Sequence, residues 1–160
     1  MAKVSVTGSR TWPATREEWE ELDDQGKLDQ TSRTVRLINE FIDQMPADTT
    51  VISGGAQGPD TIAETRAIER GLAFTLFPAE WKKYGKGAGF KRNKDIARYA
   101  DECLVFWDGE SSGTKNFIRH AFDMRRPLYI IGPEGVPWAV FDEAFYEQEG
   151  PEPRMDIPGM

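Results

Sequence analysis

Val51-Ile52-Ser53-Gly54-Gly55-Ala56-Gln57-Gly58-Pro59-Asp60 is the stretch on which the reading of this chain turns. The apolar pair reads as the end of a buried strand, and the glycines after it as a turn. Pro59 stands where a first helical turn begins, because its missing N–H would lack a partner there in any case. Thr61-Ile62-Ala63-Glu64-Thr65-Arg66-Ala67-Ile68-Glu69-Arg70 continues with amphipathic helical spacing, and Gly71 supplies a left-handed C-terminal cap. A strand, glycine turn and helix in this order aim free N–H groups and the positive end of a helix dipole at one point. That arrangement suits a phosphate. The glycines match neither the G-x-G-x-x-G dinucleotide fingerprint nor the P-loop, which needs Gly-Lys followed by Ser or Thr. Taken alone, the segment fits a ligand-free strand-to-helix turn as well.

Two further turns shift that balance. Val4-Ser5-Val6-Thr7 reads as a short strand running into Gly8-Ser9-Arg10, and Glu102-Cys103-Leu104-Val105-Phe106-Trp107 as another, running into Asp108-Gly109-Glu110-Ser111-Ser112-Gly113-Thr114. Ser9 can donate to a phosphate oxygen and Arg10 can do so with two hydrogen bonds, the alternative being a plain turn with Arg10 solvated. Apolar runs at 72–77 and 126–131 supply two more strands. Helical spacing covers 31–45, 90–100 and 115–124. Strands alternating with helices predict an α/β fold: a Rossmann-like, doubly wound parallel sheet of about five strands, in spatial order 3-2-1-4-5. The glycine turns then gather on one edge of the sheet, where open α/β folds bind ligands.

The 160 residues are read as one domain: 1–132 as the nucleotide-binding body, 133–160 as an extension and tail of it. A formal charge of −7 argues against nucleic acid and anionic membranes as partners. No run is long and apolar enough to span a bilayer and no signal peptide is evident, so a cytoplasmic protein is expected. The single Cys103 excludes an internal disulfide and reads as a buried, inert thiol. No metal site and no cofactor are expected. His120 is assigned a structural role in mid-helix. The acidic stretch 12–30 is read as a surface insertion, a solvated connection more than a lid, with a short helix near 17–22. Residues 78–90 are read as a flexible basic loop, with Arg92 in the first turn of the helix after it. There the helix dipole disfavours a cation. A docking helix over 138–146 and a mobile tail over 148–160 are expected at the C-terminus.

The segments Gly8-Ser9-Arg10, Ser53-Gly54-Gly55-Ala56-Gln57-Gly58-Pro59-Asp60, Phe77-Pro78-Ala79-Glu80-Trp81, Gly85-Lys86-Gly87-Ala88-Gly89, Arg92-Asn93, Ala100-Asp101 and Ser112-Gly113-Thr114 together resemble the SLOG superfamily. The resemblance is to its small YspA/YpsA-related proteins, relatives of the Lonely Guy phosphoribohydrolases and of DNA-processing protein A. It implies a pocket for a nucleotide or nucleotide-derived ligand. The ligand-binding set is Gly8, Ser9, Arg10, Gly54, Gly55, Ala56, Gly58, Arg92, Ser112, Gly113 and Thr114, to which the resemblance adds Asp60, Trp81, Lys86 and Asn93. Arg92 is similar to an arginine of the phosphoribohydrolases. Phe117 takes the place of their glutamate, so Asp60, Glu64 and Asp108 are the substitute carboxylates, with Arg92 the fourth catalytic candidate. Three functions are carried forward. The first is nucleotide binding as a sensor or sequestering protein. The second is N-glycosidic hydrolysis of a nucleotide, and the third, weaker, is single-stranded nucleic-acid binding. A homo-oligomer is left open.

Overall fold

Strand β4, Glu102–Phe106, buries both of its faces, and its alternation sorts the molecule into layers. Cys103 and Val105, with Trp107 just beyond the strand, enter one apolar cluster, while Leu104 and Phe106 enter the other. A strand covered on both sides reads as an unbroken apolar run, as a parallel strand between two helical layers must. The computed structural model describes residues 2–157 and 160.

The chain begins with β1 (Lys3–Gly8), α1 (Arg16–Glu21), α2 (Asp24–Asp43), β2 (Thr50–Ser53), α3 (Pro59–Glu69) and β3 (Ala73–Leu76). Next come α4 (Trp81–Tyr84), a 3-10 turn (Gly85–Gly87), α5 (Ala88–Tyr99), β4, α6 (Ser112–Asp123) and β5 (Leu128–Ile131). It ends with β6 (Pro137–Phe141) and α7 (Glu143–Glu149). The sheet order is β3-β2-β1-β4-β5-β6. The first five strands pair in parallel, in the order expected from the sequence. Helices α2 and α3 cover one face through Ile38, Ile42, Ala63 and Ala67. Helices α5 and α6 cover the other through Ile96, Phe117, Ile118 and Phe122. Cys103 is buried, and burial pushes its thiol up to about 11, which keeps it protonated.

Several expectations change. The sheet has a sixth strand, β6, antiparallel to β5, where a helix was expected. The turn Gly132–Gly135 makes the hairpin, with Gly132 N–H donating to the Val136 carbonyl at 3.0 Å, and Trp138 packs edge-on to Trp107. The docking helix is the later α7, whose Tyr146 hydroxyl donates to the Arg126 carbonyl at 2.8 Å. The stretch after α7 is not a free tail: Ile157 is buried in the core, with Met155 and Met160 against it. Residues 158 and 159 of that call lie outside the described residues. The basic stretch 78–90 is ordered as α4, the 3-10 turn and the start of α5 rather than a loop. Arg92 thus lies a turn inside α5, beyond the strongest part of the dipole. Finally, α2 begins at Asp24, within the supposed insertion, because Asp23 accepts the Gly26 N–H at 2.7 Å and starts the helix early.

Candidate functional site

The turns after β1, β2 and β4 meet at the C-terminal edge, where the chain winds outward in both directions from the β1–β4 pair. Ser9 ties two of them together. Its N–H donates to the Phe106 carbonyl at 2.9 Å, and its Oγ accepts the Asp108 N–H at 3.1 Å. Close approach explains two of the glycines. A Cβ on Gly8 would stand 2.6 Å from both the Phe106 carbonyl oxygen and Pro59 Cγ. One on Gly58, whose φ is 93°, would stand 2.7 Å from the Arg10 carbonyl oxygen. A cavity of about 770 Å³ opens over these turns.

Asp60 lines this cavity from the first turn of α3, yet only 2% of its surface is exposed. Its Oδ2 accepts the Gly54 N–H at 3.1 Å, while among the described residues Oδ1 has no hydrogen-bond partner. Burial pushes its carboxyl up to about 6, against the opposing pull of the Gly54 N–H, the Arg92 charge and the Ala56 and Gly8 peptides. Arg92, half-buried, donates from Nη1 to the Gly54 carbonyl at 2.7 Å. A Cβ on Gly54 would stand 2.5 Å from that Nη1, so glycine lets the arginine lie across the turn. Burial lowers the pKa of Arg92, Asp60 opposes this, and the positive charge of Arg10 adds to the lowering. Arg10 and Arg92 therefore share one cavity and repel each other. Among the described residues Arg10 has no ion-pair partner, and it is exposed.

Asn93 connects this corner to α6, its Nδ2 donating to the Gly113 carbonyl and to Asn116 Oδ1, both at 3.1 Å. The N-terminus of α6 is organised by Asp108, whose Oδ1 accepts the Glu110 and Ser111 N–H groups at 2.8 Å each. Ser111 caps the helix, accepting the Thr114 N–H at 3.5 Å, and leaves Ser112 and Gly113 exposed beside the cavity.

Of the residues singled out in the sequence, Gly8, Ser9, Arg10, Ala56, Asp60, Arg92, Asn93, Ser112, Gly113 and Thr114 line one cavity, as does Asp108. Gly54 and Gly58 shape the turns without lining it. Gly55 is exposed and outside the lining, and its glycine answers to a φ of 74° and to Leu76 rather than to an approaching ligand. Trp81 and Lys86 are exposed outside the cavity, and Glu64 is also absent from its lining. Phe117 is fully buried in the apolar core.

The short helix expected near 17–22 is α1, but its place at the cavity was not the expected one. Arg16, Trp19 and Glu20, from the supposed solvated connection, line the cavity. The signal was present in Thr15-Arg16-Glu17-Glu18, a capping box: Thr15 Oγ1 accepts the Glu18 N–H at 3.2 Å and Glu18 Oε1 accepts the Thr15 N–H at 2.9 Å. Trp12 anchors the approach to it, buried edge-on against Phe106 at 4.9 Å, with its carbonyl held by Thr34 Oγ1.

A family model described as YspA, cpYpsA-related SLOG matches residues 2–84, from β1 through α4. The chain belongs to that SLOG family. Gene 61 protein of Mycobacterium phage D29 is 34% identical over 138 residues, spanning 82% of this chain and 98% of that protein. Among solved structures, TM1055 aligns with a TM-score of 0.54 at 17% identity, over 80% of this chain and 72% of its own. DNA processing protein A from Streptococcus pneumoniae aligns at 0.54 and 17%, over 82% of this chain and 50% of that one. Its counterpart from Helicobacter pylori, described by its single-stranded DNA binding mode, aligns at 0.53 and 18%, over 81% and 65%. At such identities the structural matches establish the shared fold. No described helix is long and apolar enough to cross a membrane.

Proposed function

We propose that this SLOG protein binds a nucleotide or nucleotide-derived ligand as a sensor or sequestering protein, with the ligand's phosphate held between Arg10, Arg92 and the N-terminus of α6. The observation that carries this reading is the convergence of Arg10 and Arg92 on one cavity, close enough to repel, with Arg10 in no ion pair among the described residues. Like charges brought together raise the energy of the empty site, and a dianionic phosphate relieves that repulsion while accepting forked hydrogen bonds. Isothermal titration with nucleoside 5′-monophosphates tests it. Arg92→Ala should weaken binding roughly tenfold to a hundredfold, the worth of a charge-assisted hydrogen bond of about 1.5–3 kcal/mol. Unchanged affinity in that variant would remove the site.

A second reading, N-glycosidic hydrolysis, rests on Asp60. It is a carboxyl that titrates near 6, lines the cavity and keeps one oxygen unpartnered, as a group that gives or takes a proton requires. Asp108 is committed to its own turn, and Phe117 offers no proton. Released base measured under multiple-turnover conditions separates the two classes, and turnover abolished in Asp60→Asn would favour the hydrolase. Single-strand nucleic-acid binding is the third reading, supported by the Helicobacter pylori fold relative and opposed by the charge of −7.

A further inference from the structure

The lining of the cavity is of two chemical kinds. The turns and α5 contribute charged and peptide groups: Arg10, Arg92, the carboxyls of Asp60, Asp108 and Glu110, and the Ser112–Gly113 peptides of α6. Helix α1 contributes something different, the indole of Trp19 flanked by an ion pair already closed on itself, Arg16 Nε to Glu20 Oε1 at 3.1 Å. A phosphate has no use for that lining, since the arginine there is already matched to a carboxylate. A cavity of about 770 Å³ also exceeds what a phosphate fills and falls within the range of sites that hold a whole small organic ligand.

We infer that α1 is the nucleobase subsite of this cavity, with Trp19 as the stacking platform for the planar heterocycle of a ligand whose phosphate sits against Arg10 and Arg92. The inference rests on the nucleotide reading above and extends it by assigning the residue that recognises the base. Stacking needs a flat, half-desolvated π surface held in place before the ligand arrives. Trp19 meets each condition. It is half-buried, and the Lys27 ammonium stands 5.9 Å from its ring centroid. Its helix is fastened at the start by the reciprocal Thr15–Glu18 cap and, ahead of that, by buried Trp12 and the Gln30 side chain, whose Nε2 donates to the Thr11 carbonyl at 3.2 Å. The exposed aromatics near basic residues, Trp81, Tyr84, Phe90 and Tyr99, lie outside the cavity lining.

The test compares ribonucleoside 5′-monophosphates with ribose 5-phosphate on the full chain, as wild type and as Trp19→Ala, Trp19→Leu and Trp19→Phe. The wild type should bind at least one monophosphate more tightly than ribose 5-phosphate. Trp19→Ala and Trp19→Leu should lose roughly fivefold to a hundredfold in that affinity, the worth of one base on an aromatic ring, and fall to the level of ribose 5-phosphate. Trp19→Phe should keep most of it, and ribose 5-phosphate should bind all four proteins alike. The leucine and phenylalanine variants both keep an apolar side chain smaller than the indole, and only the second keeps a π face, so loss in the first with retention in the second separates stacking from packing. Equal binding of monophosphates and ribose 5-phosphate by the wild type, or wild-type monophosphate affinity in the leucine variant, overturns the base subsite and leaves the phosphate reading intact. A wild type that binds neither probe removes both.

Discussion

Two helices present their N-termini to the same cavity, and they do so in opposite ways. Helix α3 begins at Gly58 with no side-chain cap, and the carboxyl of Asp60 is buried against the preceding turn. Helix α6 begins at Ser111 with a side-chain cap, has no acidic residue in its first turn, and exposes Ser112 and Gly113. The first dipole end therefore carries an anion of its own chain within its first turn, whereas at the second the nearest such anion, Asp108, is bonded to the N–H groups of Glu110 and Ser111 ahead of the helix. A glycine-rich turn is thus a poor guide to where an outside anion goes. In this molecule the glycines at 8, 54 and 58 admit Phe106, Arg92 and the Arg10 backbone to close packing, while the open end lies at the less glycine-rich turn.

That contrast is most open to attack at Asp60, where the largest effect is expected. Its carboxyl moves from an ordinary 3.8 to about 6 in the folded protein. Well below the ordinary value of 3.8 it is protonated in both states. As pH rises the unfolded chain ionises first, so the stability this group contributes is lost up to the folded pKa, by about 3 kcal/mol. Asp60→Asn should flatten that slope. In urea unfolding the variant should gain on the wild type between pH 4 and pH 7, and parallel profiles would mean that α3 carries no desolvated anion. Next in size is Arg92→Ala, with its tenfold to hundredfold loss of monophosphate affinity. If the α6 end binds phosphate, some affinity should survive, and complete loss would assign the binding to arginine alone.

The caps themselves give smaller effects. Gly58→Ala must place a Cβ against the Arg10 carbonyl at a positive φ, and should cost about 1–3 kcal/mol, read as a fall in Tm. Ser111→Ala removes an ordinary cap, whose long 3.5 Å bond to the Thr114 N–H argues for a loss near the middle of the usual range, about 1 kcal/mol. A larger loss for Ser111→Ala than for Gly58→Ala would invert the comparison.

Much of the site was legible because each contributing turn carries its own local signal at the end of an apolar run. Gly8-Ser9-Arg10, Ala56, Asp60, Arg92-Asn93 and Ser112-Gly113-Thr114 were all identifiable on that basis, and all line the cavity. Gly55, Trp81 and Lys86 lie outside the cavity lining for a shared reason. Motif membership says nothing of which way a turn or short helix faces, and these three face outward. Trp19 was not singled out because its surroundings are acidic: the short helix was legible, but the Trp12 anchor that seats it beside the cavity was not.

The chain's own sequence determined the parallel sheet, its strand order and the edge on which the turns gather. Apolar runs, turn residues and caps act over a few neighbours and need no distant partner to be read. Only the tertiary structure decided the state of the site. Arg92 reaches the Gly54 carbonyl across 38 residues, and Ser9 meets the Asp108 N–H across 99. Such contacts exist only once β1, β2 and β4 lie side by side in register. The burial that lifts Asp60, the repulsion between Arg10 and Arg92, and the placing of Trp19 beside both arise there, because desolvation and charge coupling depend on distance in space and not on distance along the chain.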